Sequence, residues 1–145
     1  MIYLDSSFVL SYLFKDRLYD YAKDILESKE KFWSSDLLRY ECLVSLQKRF
    51  PSGDSERTRG FEELKKKIEF LSIHSEVYKV LEENPKISRV RTLDSIHIAS
   101  LICIEKATKE KLFLATFDER MLEVAHSLKI TILSAKNTSK KNRKP

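Results

Sequence analysis

The chain has 145 residues, of which 42% are apolar and 34% charged, with only two glycines and three prolines. This composition is typical of one helix-rich globular domain and excludes collagen-like, disordered and all-β proteins. No apolar run approaches the roughly 20 residues of a membrane-spanning helix, and the first residues do not resemble a signal peptide. The two cysteines, Cys42 and Cys103, lie in apolar helical patterns and predict buried free thiols. We therefore expect a cytoplasmic protein without a membrane partner.

The net charge of +5 originates in the last ten residues of the chain. Five basic side chains follow Ala135 and no acidic one does, so the charges of the preceding residues balance. We expect a domain over residues 1–135 and a disordered basic tail over residues 136–145. Such a tail could hold nucleic acid without sequence preference, or it could be a plain solvated terminus, and both interpretations stay open.

Short apolar runs and amphipathic segments alternate along the chain. Apolar, β-prone residues predict strands at 2–4, 32–34, 112–116 and 130–133. Apolar residues at helical spacing predict a short helix ending at residue 14, a helix capped by Ser35 or Asp36 that runs to residue 50, and helices at 16–28, 61–71, 76–83, 92–106 and 119–128. The polar run 51–60 contains both glycines and predicts a flexible connection. This alternation predicts an α/β domain with a mostly parallel sheet and helices on both faces.

Four carboxylates occupy positions that point to a shared site. Asp5 and Asp118 each follow an apolar strand and precede a helix, so both should lie at the same edge of a parallel sheet. Asp94 is in the first turn of a strongly apolar helix, where the helix dipole favours a negative charge. Glu41 interrupts the apolar side of another helix, which is costly unless a partner compensates its charge.

Carboxylates gathered in one place repel one another unless cations neutralise them. Mg²⁺ and Mn²⁺ prefer oxygen ligands, so such a cluster would suit a hard divalent ion. These ions can lower the pKa of a water and stabilise a leaving oxygen, which is the chemistry of phosphodiester hydrolysis. Thr116 and either Ser6 or Ser7 could orient the carboxylates or the water.

Each acid also has a structural explanation that needs no metal. The explanations are a strand-end turn for Asp5, helix starts for Asp94 and Asp118, and an ion pair with Arg39 or Lys48 for Glu41. Four acids in four separate elements are harder to explain in this way. A phosphatase of the haloacid-dehalogenase type would need a second Asp two residues after the first, and Ser7 stands there.

Four motifs resemble the PIN-domain family in their order and spacing. They are IYLDSS at residues 2–7, Glu41 in a helix after the second strand, LDSIHIA at residues 93–99 and ATFDERML at residues 115–122. The resemblance covers about residues 1–135, and the size and motif order are similar to those of VapC-type toxin ribonucleases. It implies a three-layer α/β/α sandwich with a small central parallel sheet.

The same resemblance implies a function and a set of site residues. The expected activity is a Mg²⁺- or Mn²⁺-dependent endoribonuclease acting on RNA, as the toxin of a type II pair with a small antitoxin protein, and a homodimer is expected. The metal-binding and catalytic acids would be Asp5, Glu41, Asp94 and Asp118, with Thr116 and Ser7 as catalytic polar positions.

The neighbours of these acids have expected roles of their own. Arg89, Arg91 and the basic tail are candidates for phosphate contacts. His97 is expected in the core or at the site edge and not as a ligand, because hard metals select oxygen. The alternative function is a catalytically degenerate protein- or RNA-binding module on the same fold.

Overall fold

The computed structural model describes residues 1–133, which form a five-stranded sheet covered by helices. The strands are β1 (Ile2–Leu4), β2 (Phe32–Ser35), β3 (Ile68–Leu71), β4 (Phe113–Ala115) and β5 (Thr131–Ile132). The helices are α1 (Ser6–Phe14), α2 (Tyr19–Leu26), α3 (Leu37–Arg49), α4 (Ser55–Lys65), α5 (Ser75–Glu83), α6 (Thr92–Thr108) and α7 (Glu119–Ser127), with a 3-10 helix (Pro85–Arg89) between α5 and α6. The predicted basic tail lies outside the described residues.

The sheet is parallel throughout, with the strand order β3-β2-β1-β4-β5. The first strand is therefore central: Ile2 pairs with Phe32 on one side and with Phe113 on the other. Parallel strands end at the same edge of a sheet, so the residues that follow β1 and β4 come together there. This arrangement confirms the predicted α/β class with a small parallel sheet.

Two apolar cores lie on opposite faces of the sheet because successive strand residues point in opposite directions. Ile2 and Leu4 belong to the core formed with α1 to α4. Tyr3, between them, belongs to the core formed with α5, α6 and α7. Ile98 and Leu101 of α6 are fully buried, as the apolar character of that helix on most of its sides predicted. The result is an α/β/α sandwich.

The sequence-based prediction was wrong for residues 55–60 and 66–71, whereas the helix predicted at residues 61–65 is present. Residues 55–60, predicted as a flexible connection, form the first half of α4, and the Asp54 carboxylate caps this helix by accepting from the Arg57 amide at 2.9 Å. Residues 68–71, predicted as the end of a helix, form β3 and extend the sheet beyond β2. Ile68 and Leu71 fit helical spacing, but periodicity over so few residues cannot distinguish a helix from an edge strand. Pairing with β2 decides in favour of the strand.

The start of α3 agrees with the prediction, because Asp36 is its N-cap residue, but the predicted side-chain cap was wrong. Neither Ser35 nor Asp36 caps this helix with its side chain: Ser35 is a buried residue of β2, and the Asp36 carboxylate accepts from the Arg39 guanidinium at 3.1 Å.

Both cysteines are free and buried, as predicted. Burial raises the pKa of both thiols above the usual range. Within residues 1–133, no helix combines the length and the apolar character needed to cross a membrane.

Candidate functional site

One cleft of about 590 Å³ at the carboxyl edge of the sheet contains all four predicted acids. Asp5 follows the central strand and is the N-cap of α1, while Asp118 follows β4 and is the N-cap of α7. Asp94 lies in the first turn of α6, and Glu41 lies one turn into α3. The tertiary structure therefore brings together side chains that are up to 113 positions apart in the sequence. Their roles as metal ligands stay a prediction.

Asp5 is held at the bottom of the cleft, with 1% of its surface exposed. Its Oδ2 accepts three hydrogen bonds: from the Ser7 hydroxyl at 2.6 Å, the Thr116 hydroxyl at 2.9 Å and the Ser7 amide at 3.1 Å. Its Oδ1 is buried and makes no hydrogen bond within the described residues. One oxygen of the carboxylate is thus fixed, while the other is left without a donor.

Ser7 and Thr116 join the ends of the two central strands. Their hydroxyls lie 3.1 Å apart, and the Ser7 hydroxyl accepts from the Phe117 amide at 2.9 Å. The Thr116 hydroxyl accepts from the Asp118 amide at 3.1 Å. These two residues therefore fix Asp5 relative to Asp118, and between Ser6 and Ser7, it is Ser7 that contacts the acid. This geometry fits a role of Ser7 and Thr116 in orienting the Asp5 carboxylate.

Arg91 connects the other two aspartates. Its Nε donates to Asp94 at 2.9 Å and its Nη2 to Asp118 at 3.3 Å, although the side chain is 71% exposed. The guanidinium compensates part of the negative charge at the cleft mouth. Arg91 lines the cleft, whereas Arg89 lies in the 3-10 helix and is not part of that lining.

Glu41 forms neither of the two ion pairs proposed for it from the sequence. Arg39 pairs with Asp36 instead, and the structure gives Glu41 a contact with His97: the imidazole Nε2 donates to its Oε2 at 2.6 Å. His97 is fully buried, which confirms the first of its two predicted positions, the core.

The contact between His97 and Glu41 was not among the sequence-based predictions. The signal that could have found it is the spacing of Asp94 and His97, which are three residues apart and so lie on one face of α6. Burial alone would lower the pKa of His97, but the hydrogen bond to Glu41 and the nearby carboxylates raise it above its usual value.

The residues of the cleft fit a hard divalent ion in their chemistry. Over residues 1–133, no three Asp, Glu, His or Cys side chains are arranged so that they hold a metal ion as they stand. The buried Oδ1 of Asp5, however, makes no hydrogen bond within these residues and lies beside three further carboxylates, with Nε2 of His97 3.8 Å away. Mg²⁺ needs only one or two protein carboxylates, because waters and substrate oxygens complete its coordination.

The burial of Asp94 predicts a pH-dependent stability. Burial raises the pKa of this carboxyl above 3.8, although Arg91 opposes the shift. Because Asp94 then binds its proton more tightly in the native state than in the unfolded chain, its contribution to the free energy of unfolding falls as pH rises above 3.8. Asp94→Asn cannot titrate, so its melting temperature relative to that of the wild type should increase from pH 3.8 towards neutral pH. Thermal melts in chelator measure this, and a constant difference across the range would contradict it.

Comparison with known proteins agrees with this geometry. No curated protein is similar enough to the chain to count as a match. The family model described as PIN domain matches residues 2–127, which contain every strand and helix of the domain except β5. PIN domains are generally metal-dependent nucleases and typically act on RNA. The chain therefore belongs to the PIN domain family.

Proposed function

We propose that this protein is a metal-dependent endoribonuclease that hydrolyses RNA phosphodiester bonds, with Asp5, Glu41, Asp94 and Asp118 as its metal-binding and catalytic acids. The observation that carries the proposal is the environment of Asp5. A carboxylate that is 1% exposed, with one oxygen held by three donors and the other making no hydrogen bond within residues 1–133, is costly unless a cation compensates its charge. Nε2 of His97 lies 3.8 Å from that second oxygen, which is beyond hydrogen-bond distance. The other three acids line the same cleft.

The four acids and the two hydroxyl residues beside Asp5 would have different roles in this reaction. Asp5 would hold the cation, with Ser7 and Thr116 keeping its carboxylate in place. Asp94, Asp118 and Glu41 would bind the ion through their oxygens or through its waters. When bound, Mg²⁺ or Mn²⁺ supplies Lewis acidity, which lowers the pKa of a water and stabilises negative charge on the phosphate.

Arg91 would leave Asp94 and Asp118 and bind a phosphate instead when the ion and the RNA bind. An ion at Asp94 and Asp118 would take over the neutralisation that the guanidinium provides. Arg91 is mostly exposed, so it can turn to the phosphate of an incoming RNA, where a guanidinium binds in a bidentate manner. Arg89 and the basic tail remain candidates for further phosphate contacts.

A toxin role is the finer part of the proposal, and the similarity of the motifs to VapC-type ribonucleases supports it. An antitoxin would need to cover the acidic cleft. Tyr40 and Val44 of α3 and Leu93 of α6 line the cleft with exposed apolar surface, at 67%, 44% and 46% exposure. Apolar surface at the rim of a charged cleft is typical of protein interfaces. The homodimer is proposed from the same similarity.

Metal removal tests the proposed function directly. Purified protein should cleave members of a panel of structured RNAs in the presence of Mg²⁺ or Mn²⁺, and chelation should reduce the rate at least about 100-fold. Readdition of the ion should restore cleavage. Cleavage that persists in chelator would contradict the proposal. Calorimetry that detects no Mn²⁺ binding at millimolar metal would favour the alternative, a degenerate protein- or RNA-binding module.

A further inference from the structure

A chain of hydrogen bonds runs from the core of the domain to Glu41. The Ser35 amide donates to the Tyr3 hydroxyl at 3.1 Å, and this hydroxyl lies 3.0 Å from Nδ1 of His97. On the other side of the ring, Nε2 donates to Glu41 at 2.6 Å. Tyr3 and His97 are both 0% exposed. Nothing in the proposed chemistry requires these two buried polar side chains to touch substrate or metal.

The direction of these bonds defines which atom of His97 carries a proton toward the cleft. The Ser35 amide can only donate, so the Tyr3 hydroxyl accepts from it and still has its own proton available for Nδ1, which also lies 3.4 Å from the Ser35 hydroxyl. Burial raises the pKa of Tyr3, so the phenol stays neutral. The Glu41 carboxylate can only accept, so Nε2 bears the proton of this hydrogen bond, in the neutral imidazole as well as in the imidazolium.

Glu41 needs such a partner because of its place in the fold. It is the only one of the four acids that lies away from a helix N-terminus and does not begin or cap its helix. Asp5 and Asp118 are fixed by backbone amides of their own helices, and Asp94 by Arg91. For Glu41 the structure provides the buried imidazole, whose Nε2 also lies 3.8 Å from Oδ1 of Asp5. The imidazole thus faces two of the four acids at once.

We infer that His97, held by Tyr3, is a positioning residue that fixes the carboxylate of Glu41 beside Asp5 in the acidic cleft. The inference rests on the proposed function, since the purpose of this arrangement is to prepare Glu41 for a divalent ion. Partners that orient a metal ligand in this manner contribute about 10- to 100-fold in metal affinity. His97 would act through Glu41 and would not bind the ion itself.

Mn²⁺ calorimetry on a double-mutant cycle tests the inference. His97→Leu should weaken Mn²⁺ binding about 10- to 100-fold, and in a Glu41→Gln background it should cause no further loss. His97→Gln keeps an N–H donor close to the position of Nε2 and should recover most of the affinity. His126→Leu, which changes an exposed histidine on α7, is the matched control and should bind as the wild type does. Additive losses in the double variant, or no recovery in His97→Gln, would overturn the inference.

Two further measurements keep the test decisive if His97→Leu does not fold. Tyr3→Phe removes one hydroxyl and retains the ring, and it should weaken Mn²⁺ binding, as His97→Leu does. Wild-type Mn²⁺ affinity in Tyr3→Phe would contradict the role of Tyr3. Proton NMR of the metal-free wild type should show an imidazole N–H signal that is protected from exchange with water and shifts in Glu41→Gln. If the chemical shift of this N–H is the same in Glu41→Gln as in the wild type, the positioning role is overturned, even if the wild type cleaves RNA. Conversely, a wild type that binds no Mn²⁺ but shows the shift overturns only the proposed function.

Discussion

Asp5→Asn should reduce metal-dependent RNA cleavage at least about 100-fold, because the substitution replaces the central anionic oxygen of the cleft with an amide. The donors from Ser7 and Thr116 can still reach the remaining carbonyl oxygen, so the local geometry should survive. Mn²⁺ affinity should fall together with the rate. Initial-rate cleavage assays and calorimetry on the same preparation measure both quantities.

The matched control for this prediction is Asp24→Asn, which removes the same charge from an exposed position on α2. Its cleavage rate and Mn²⁺ affinity should equal those of the wild type. Circular dichroism and thermal melts verify that both variants fold. Wild-type cleavage by a folded Asp5→Asn would remove the basis of the proposed function, since no other carboxylate of the cleft is as fully buried.

Phe8→Ala should lower the free energy of unfolding by about 3–5 kcal/mol, which is the usual cost of deleting a buried phenylalanine ring. Phe8 is 1% exposed on α1 and stacks on Phe117, with ring centroids 4.9 Å apart. Phe117 is the residue between Thr116 and Asp118, so in the wild type the ring of Phe8 also supports the part of the cleft that these two residues form. For a domain of this size the melting temperature should fall by roughly 10 °C or more.

Urea denaturation of Phe8→Ala and of an exposed aromatic variant tests this expectation. Tyr78→Ala on α5, whose side chain is 65% exposed, should change the free energy of unfolding by no more than about 0.5 kcal/mol. A loss below about 1 kcal/mol in Phe8→Ala would mean that the core beneath the cleft can collapse into the space of the missing ring.

Apart from β3 and the first half of α4, the order of strands and helices was predictable from local patterns, and so was the position of Asp5 and Asp118 at one sheet edge. The run Ile2-Tyr3-Leu4 is apolar enough to identify a buried strand, and the carboxylate that follows it predicts the sheet edge. The same pattern, an apolar strand followed by a carboxylate and a helix, predicted the position of Asp118. Parallel strands all end at one edge, so local patterns around each strand were sufficient to place these two acids together.

The segment around β3 shows where local reasoning fails. Residues 68–71 have apolar positions that suit either a helix or a strand, and their state depends on hydrogen bonds with β2. The partner of Glu41 shows the same limit at the level of side chains. His97 is 56 positions away in the sequence and reaches Glu41 only because α3 and α6 meet at the cleft.

By itself, therefore, the sequence determined the α/β class, the buried first strand and the positions of the candidate acids at the ends of strands and in helices, because periodicity and strand-end chemistry are local properties of the chain. Only the tertiary structure decided the edge strand β3, the contact of Arg91 with Asp94 and Asp118, and the hold of Tyr3 and His97 on Glu41. The physical reason is that a hydrogen bond between distant residues depends on how helices pack, and no pattern within one segment encodes that packing. Asp5 depends on both: the sequence predicted its position after the first strand, whereas only the fold shows that one of its oxygens accepts hydrogen bonds and the other makes none within residues 1–133.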